Sequence, residues 1–331
     1  MRALVIGSGR MARIRLTGLK EAGVNSVIAS RSADHAAALS TEFDAPVITM
    51  DAANTSKPDL VFVCSATAYH AADVTTALNL GVPVLCEKPL AADSAAARDA
   101  AEAARAHDIP LYVAFQRRFD TAFRGLREKL RHGELGVLYH LRSAHYDRRP
   151  SVREFIAQSG GHFKDMLVHD IDSTLWLTGS TVVRCSGYGS VRKWADYSDF
   201  DDCDVATIVL TLSDGLVAVA QSTRHHPYGQ DIRFEAVGSE GAYSVGLSEH
   251  TPIKSCDVGA GPFNVDPIQS FDERFRDAFS RETGEFIQYV SGARNEFEGC
   301  AAGQAAETLR IAEACENSWR LGREVIMSEA I

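Results

Sequence analysis

Ala3-Leu4-Val5-Ile6-Gly7-Ser8-Gly9-Arg10-Met11-Ala12 is the stretch that decides the fold. Ala3–Ile6 is a short apolar run that reads as a buried strand. G-x-G-x-x-A follows it, and a helix-like segment continues to about Glu21. A strand, a glycine turn and a helix in that order bring a dinucleotide pyrophosphate to the backbone N–H groups at a helix N-terminus. The glycines permit the turn and the close approach. Val24–Ala29 is the next strand and ends in Ser30-Arg31-Ser32. An acidic residue in that slot would accept from a ribose 2′-hydroxyl and repel a 2′-phosphate. A hydroxyl and a guanidinium favour the phosphate instead. The expected cofactor is NADP(H), with NAD(H) as the alternative.

Outward from this start, the apolar runs Leu60–Cys64, Val82–Cys86 and Leu111–Phe115 are separated by the helix-patterned stretches His70–Leu80 and Ser94–His107. Asp93 or Ser94 is placed to cap the second of these. Such alternation predicts a parallel sheet covered on both faces. Ser65-Ala66-Thr67-Ala68-Tyr69-His70 and Glu87-Lys88-Pro89 follow strand ends, where ligands of such sheets bind. After a helix over Phe119–His132 the pattern changes. Extended segments are expected at Leu138–Tyr146, Val182–Val191, Val205–Leu212, Leu216–Thr223, Ile232–Val237 and Ala242–Val245, with a helix near Met166–Leu177. Ser213-Asp214-Gly215 and Gly238-Ser239-Glu240-Gly241 are hairpin signals. Gly259–Pro267 reads as a loop, and Phe271–Ser291 and Gly303–Arg320 as closing amphipathic helices. The expected fold class is α/β. A Rossmann dinucleotide-binding domain spans 1–118, and a C-terminal α+β domain with a large, mostly antiparallel sheet spans 119–331. Alternation along Val205–Leu212 is imperfect, so the outer face of that sheet is partly apolar, as a second subunit would require.

A second stretch carries chemistry: Ser159–Asp172, S-G-G-H-F-K-D-M-L-V-H-D-I-D. Asp165 and His169 are four residues apart and share one helical face. A neutral imidazole takes a proton near neutral pH, and a carboxylate beside it fixes its tautomer and supports the imidazolium. The paired glycines suit a tight entry. The formal net charge of −10 over 331 residues argues against nucleic-acid and anionic-membrane partners. No apolar run reaches the roughly 18 residues of a membrane span, and the N-terminus is a poor signal peptide. The seven cysteines are scattered, with no C-x-x-C, which suits a reducing cytoplasm and gives no zinc signature. His225-His226 are adjacent and lack a matching carboxylate set, so no metal is expected. Arg148-Arg149-Pro150 reads as a solvated loop, or else as a contact to substrate or a neighbouring subunit.

With these stretches assembled, the chain resembles the Gfo/Idh/MocA oxidoreductase family. The likeness rests on G-S-G-R-M-A at 7–12, S-A-T-A-Y-H at 65–70, Glu87-Lys88-Pro89, Gln116-Arg117-Arg118-Phe119-Asp120 and G-G-x-F-x-D-M-x-x-H-D-x-D. It looks most like the inositol 2-dehydrogenase branch, where Tyr228-Gly229-x-Asp231-x-Arg233 and Phe271-x-x-Arg274-Phe275 recur in similar order. The resemblance implies a catalytic set of Lys88, Asp165 and His169. It implies substrate contacts at these three and at Arg117, His145, Asp147 and Tyr228. Cofactor contacts would fall on Gly7, Ser8, Gly9, Arg10, Met11, Ser30, Arg31, Ser65, Ala66, His70, Glu87, Lys88 and Gln116. Ser30, Ala66, Gln116, Gln230 and His225-His226-Pro227 depart from the family pattern. The implied activity is hydride transfer between nicotinamide and a ring carbinol of a cyclic polyol or sugar, by a homodimer or homotetramer built on the C-terminal sheet. Two other readings share the scaffold: a cofactor-retaining sugar epimerase or glycosidase, and a non-enzymatic dinucleotide-binding regulator.

Overall fold

Strands buried on both faces form the centre of the first layered unit. In the computed structural model, which describes residues 1–257, 259 and 262–329, β1 (Arg2–Ile6), β2 (Asn25–Ala29), β3 (Val47–Ile48), β4 (Leu60–Val63), β5 (Val84–Glu87) and β6 (Leu111–Ala114) alternate with helices. These are α1 (Arg10–Glu21), α2 (Ala33–Phe43), α3 (Met50–Ala53), α4 (Thr67–Asn79) and α5 (Ser94–Ala106). The six strands are parallel and lie in the order β3-β2-β1-β4-β5-β6. Ala3–Ile6 and Leu60–Val63 are buried at every position, as strands covered by helices on both sides must be. Ile6 pairs with both Ala29 and Val63, so Gly7, Ser30 and Cys64 leave the sheet at one edge. Glu87 pairs with Ala114, which brings Lys88 and Phe115 to that edge as well. The chain order reverses between β1 and β4, where open parallel sheets form their ligand crevice. Asp93 caps α5, its Oδ1 accepting from the Ala96 N–H at 2.8 Å.

The second unit contains α6 (Thr121–Arg131), β7 (Leu138–Tyr146), α7 (Arg153–Ile156), α8 (Val168–Thr178), β8 (Val182–Ser190), β9 (Val205–Leu212), β10 (Val217–Thr223), β11 (Asp231–Gly238), β12 (Ala242–Val245) and α9 (Phe271–Arg274). Its sheet runs β12-β11-β7-β10-β9-β8 and is antiparallel except between β7 and β10. The two-residue period of a strand sorts the side chains. Ala206, Ile208, Leu210 and Leu212 of β9 face the core, while Val205, Thr207, Val209 and Thr211 are half-buried on the other face. Gly215 closes the β9–β10 hairpin at φ +89°, and its N–H donates to Leu212 O at 3.0 Å. Of the loop expected over Gly259–Pro267, residues 260 and 261 lie outside the described residues.

A cut at 118/119 does not match the compact units. They are Met1–Phe119 with Asp277–Leu309, and Asp120–Arg276 with Arg310–Ile331. The single helix expected over Phe271–Ser291 is interrupted at Phe275, which leaves helical geometry at φ −115°, ψ 19°. From there α10 (Arg276–Val290) belongs to the first unit, with β13 (Cys300–Ala301) adding an antiparallel edge to β6. α10 is held there by apolar and ionic contacts. Phe286 meets Phe62 edge-on at 5.6 Å, and the Glu282 carboxylate accepts from Arg15 of α1 at 2.6 Å. The chain then continues as α11 (Ala302–Leu321), and β14 (Val325–Ile326) pairs with β8 in the second unit. Among the described residues no helix is long and apolar enough to cross a membrane.

Candidate active site

The first unit builds its ligand edge mostly from main chain. Gly7 sits at φ +121°, and a Cβ there would lie 2.5 Å from Cys64 O, so only glycine lets the β1 and β4 ends approach. Gly9 is the N-cap of α1 without a side-chain cap, and a Cβ there would meet nothing within 4 Å. There is open space at this helix N-terminus, whose first-turn N–H groups have no intrahelical acceptor, as a pyrophosphate site requires. Ser65 Oγ is buried with no hydrogen-bond partner among the described residues. These features fit a dinucleotide. Arg10 and Met11 open α1, and Ala66 is the exposed N-cap of α4.

At the β2 end, Ser8 Oγ and Ser30 Oγ are 2.7 Å apart, and Ser30 Oγ accepts from the Ser32 N–H at 3.0 Å. Arg31 is held by a two-pronged pair with buried Asp73, at 3.0 and 2.6 Å, and lies 4.4 Å over the Tyr69 ring. The Asp73 hydrogen bonds outweigh burial and keep the Arg31 guanidinium above its ordinary pKa.

Two of the residues expected at the cofactor are committed to the protein itself. His70 is buried; Nδ1 is 2.6 Å from Pro89 O and Nε2 is 2.9 Å from Ser65 O. Its ring ties the loop after β4 to the one after β5. Glu87 is bonded by Arg15 Nε at 2.9 Å and turns into the core beneath α1. Lys88 is half-buried at the β5 end, joined to Pro89 by a cis peptide bond. Gln116 and Arg117 lie buried in a 3-10 turn beyond β6.

The second unit builds its candidate site from side chains. The stretch Phe163–Leu167 forms a π-helical turn that runs straight into α8. Gly160 at φ +81° and Gly161 at φ +93° provide the expected tight entry. The widened turn carries Asp165, and the first turn of α8 carries His169, which is 8% exposed. Wide turns of this kind recur at functional sites. The His169 ring lies 6.0 Å from that of His145, and His145 Nδ1 is bonded to Asp170 Oδ2 at 3.0 Å. Asp147 Oδ1 accepts from Gln230 Nε2 at 2.9 Å, so the unusual glutamine joins the β7 end to the loop before β11. Tyr228 is 40% exposed and packs edge-on to His226 at 6.2 Å, with the Lys254 ammonium 4.9 Å from its ring. His225 and His226 make ring contacts with Trp194 and Tyr146. Among the described residues no group of three or more His, Cys, Asp or Glu could hold a metal ion.

The expectation for Asp165 omitted a buried ionic partner. Arg224 Nη1 donates to Asp165 Oδ2 at 2.6 Å, with side chains 2% and 13% exposed. Burial lowers the Arg224 pKa, but Asp165, Asp147 and Asp202 outweigh it and the net shift is upward. The neighbouring His162 is pushed well below the ordinary histidine range, first by burial and then by Arg224. Its Nδ1 is 2.9 Å from Cys203 O, and its Nε2 meets the Ser222 hydroxyl. Arg224 had a legible signal. It follows Ala218, Ala220 and Ser222 at strict two-residue spacing on the buried face of β10.

Residues 1–115 match the family model described as oxidoreductase family, NAD-binding Rossmann fold, and residues 123–244 match that of the GFO/IDH/MocA C-terminal domain. The chain is 31% identical to the myo-inositol 2-dehydrogenase of Thermotoga maritima, over 82% of this chain and 81% of that one. It is 29% identical to the uncharacterized oxidoreductase YrbE of Bacillus subtilis, over 97% and 95% of the two chains. A crystal structure of a probable dehydrogenase from Thermotoga maritima superposes with a TM-score of 0.90 at 28% identity, covering 100% of each chain.

Proposed function

Because the chain belongs to the Gfo/Idh/MocA oxidoreductase family, we propose that it catalyses reversible hydride transfer at a ring carbinol or ketone of an inositol-like or pyranose substrate. The first unit binds the dinucleotide through Gly7, Gly9 and the first-turn N–H groups of α1, and the second unit binds the polyol. When bound, the nicotinamide supplies the hydride chemistry. His169 takes the hydroxyl proton in oxidation and returns it in reduction. Asp165 orients the imidazole and supports its charged form. Lys88 hydrogen-bonds the reacting oxygen and stabilises its developing negative charge. Arg117, His145, Asp147 and Tyr228 are the groups assigned to the other ring hydroxyls. The observation that carries the reading is the π turn running into α8, with Asp165 and His169 four residues apart across the junction.

Preference for NADP(H) over NAD(H) belongs to the same proposal. The residue just beyond β2 is Ser30 rather than an Asp or Glu. Arg31 is oriented by Asp73, which takes one N–H from each of Nη1 and Nη2 of a guanidinium that has five, and its side chain stays 40% exposed for a 2′-phosphate. A homodimer or homotetramer through the second unit's sheet is supported by the half-buried Val205 and Val209 and by exposed Tyr188 and Val217. A cytoplasmic location is supported by seven free cysteines.

The test is a panel of inositols, free sugars and anhydrosugars, followed by reduced-nicotinamide absorbance with both cofactors. At least one cyclic polyol or sugar should turn over. His169→Ala and Lys88→Met should each lower turnover on the order of 10²-fold or more, the range of a lost acid–base or electrostatic contribution. Full activity in either variant would overturn the assignment of that residue. Product formation without a net absorbance change would replace the dehydrogenase with a cofactor-retaining epimerase or glycosidase.

A further inference from the structure

We propose that Arg224 is a positioning residue of the active site, which acts by holding the Asp165 carboxylate beside which His169 works. This rests on the roles proposed above for Asp165 and His169. The backbone of Arg224 is fixed first: its N–H donates to Asp204 O at 2.8 Å just beyond the end of β10. Its side chain is 2% exposed, and Nη1 meets Asp165 Oδ2 at 2.6 Å. That distance lies at the short end for a charge-assisted bond. A guanidinium this deeply buried is expensive to desolvate and persists only with carboxylates around it. Asp147 from the β7 end and Asp202 from the segment before β9 supply the rest of the compensating charge.

The position of the bond matters more than its strength. Asp165 sits in a π-helical turn, whose backbone departs from the α geometry of the helix that follows, so the direction of its carboxylate is set by what bonds it. A planar guanidinium fork on a rigid strand end, bonded to Asp165 through Nη1, supplies that constraint. It also tempers the carboxylate. An Asp165 already bonded to a cation pulls less strongly on an imidazolium, so His169 releases its proton more readily. Other titratable groups facing this cluster are His162, His145, the Tyr197 phenol and the Cys203 thiol, together with Asp147 and Asp202. Burial holds His162 neutral and raises Asp202. Loss of Arg224 would therefore remove a positive charge and free a carboxylate at once. Both changes favour the protonated base.

The experiment compares the wild type with Arg224→Gln, Arg224→Lys, Asp165→Asn and the double variant Asp165→Asn/Arg224→Gln, as full-length chains. The readouts are kcat and KM for polyol oxidation against pH, and cofactor KM. Arg224→Gln should lower kcat on the order of 10²-fold, as for a misplaced catalytic group. Cofactor KM should hold, and the acidic limb of the pH profile should move to higher pH. Arg224→Lys keeps the charge without the fork, so it should keep the wild-type limb and regain part of kcat. The double variant should be no slower than Asp165→Asn alone, because Arg224 acts through Asp165. An Arg224→Gln enzyme with wild-type kcat and limb would overturn the inference, as would losses that multiply in the double variant. If Arg224→Gln does not fold by circular dichroism, Arg224→Lys and the double variant, which removes both charges, still decide. Wild-type activity in Asp165→Asn would bring down the catalytic assignment itself. An impaired Asp165→Asn beside an unaffected Arg224→Gln would bring down only the role of Arg224.

Discussion

Arg15 in the first unit and Arg224 in the second are both almost fully buried, and each donates to a carboxylate at 2.6 Å. Arg15 stands in the middle of α1 and joins three elements: its own helix, β5 through Glu87 and α10 through Glu282. The Phe279 ring lies 5.5 Å from its guanidinium carbon. Arg224 stands just past a strand end and reaches the turn that carries the candidate base system. Charge, burial and bond length are nearly the same in the two cases. The difference is whether the bonded carboxylate belongs to the scaffold or to the segment proposed to move a proton. A buried ion pair thus says little about function until its partner's place in the fold is known.

The largest expected effect separates the two arginines by stability. Arg15→Met removes the cation bonded to buried Glu87 and Glu282 and should cost about 3–5 kcal/mol in urea denaturation. The folded fraction should keep its turnover within a few-fold. A stable Arg15→Met enzyme with poor turnover would erase the contrast, since Glu87 precedes Lys88 and Arg15 would then be setting the lysine.

A third arginine sharpens the comparison. Arg31 is 40% exposed and paired with Asp73, which is 1% exposed. Arg31→Ala should lower the NADPH/NADH ratio of kcat/KM about tenfold, the worth of one charge-assisted bond to phosphate. Its thermal midpoint should fall too, because buried Asp73 loses the cation that pairs it, so the ratio is read on the folded enzyme at a temperature below that midpoint. An unchanged ratio would class Arg31 with Arg15 as scaffold and remove the basis for NADP preference.

The smallest effect concerns acid. His162, beside Arg224, has a folded pKa well below the 6.5 of an unperturbed histidine. Above that pH neither the folded nor the unfolded state is protonated there, and the contribution is complete. As pH falls below 6.5 the unfolded chain takes up a proton that the folded one refuses, so stability drops by up to about 1.4 kcal/mol per pH unit. Between about pH 7 and 5.5 the wild type should lose about 1 kcal/mol more than His162→Gln, measured by denaturant midpoints. Equal losses would show that burial around Arg224 is looser than the geometry implies.

Local patterns carried most of the fold. Leu138–Tyr146, Val205–Leu212 and Ala242–Val245 are strands over the expected residues, because alternation and turn chemistry act within a few positions. Gly7 and Gly9 were legible for the same reason. The π turn was not, since it depends on which carbonyl each N–H of an ordinary helical pattern chooses. Nor was the break at Phe275, whose side chain is 1% exposed and looks like any apolar helix position. The site's ion pairs join residues 42 apart for Arg31 and Asp73, and 59 apart for Arg224 and Asp165. No single window contains either pair. The one usable trace was the strand period that put Arg224 on the inner face.

The return of α10 and β13 has a consequence for biosynthesis. The half that begins at Met1 lacks its Glu282 anchor and its outermost strand until the ribosome has passed residue 309. Its assembly waits on the synthesis of the intervening segment Asp120–Arg276. A gene fragment stopping at the covalent crossover would yield a polypeptide missing an internal wall, with Phe62 and Arg15 uncovered.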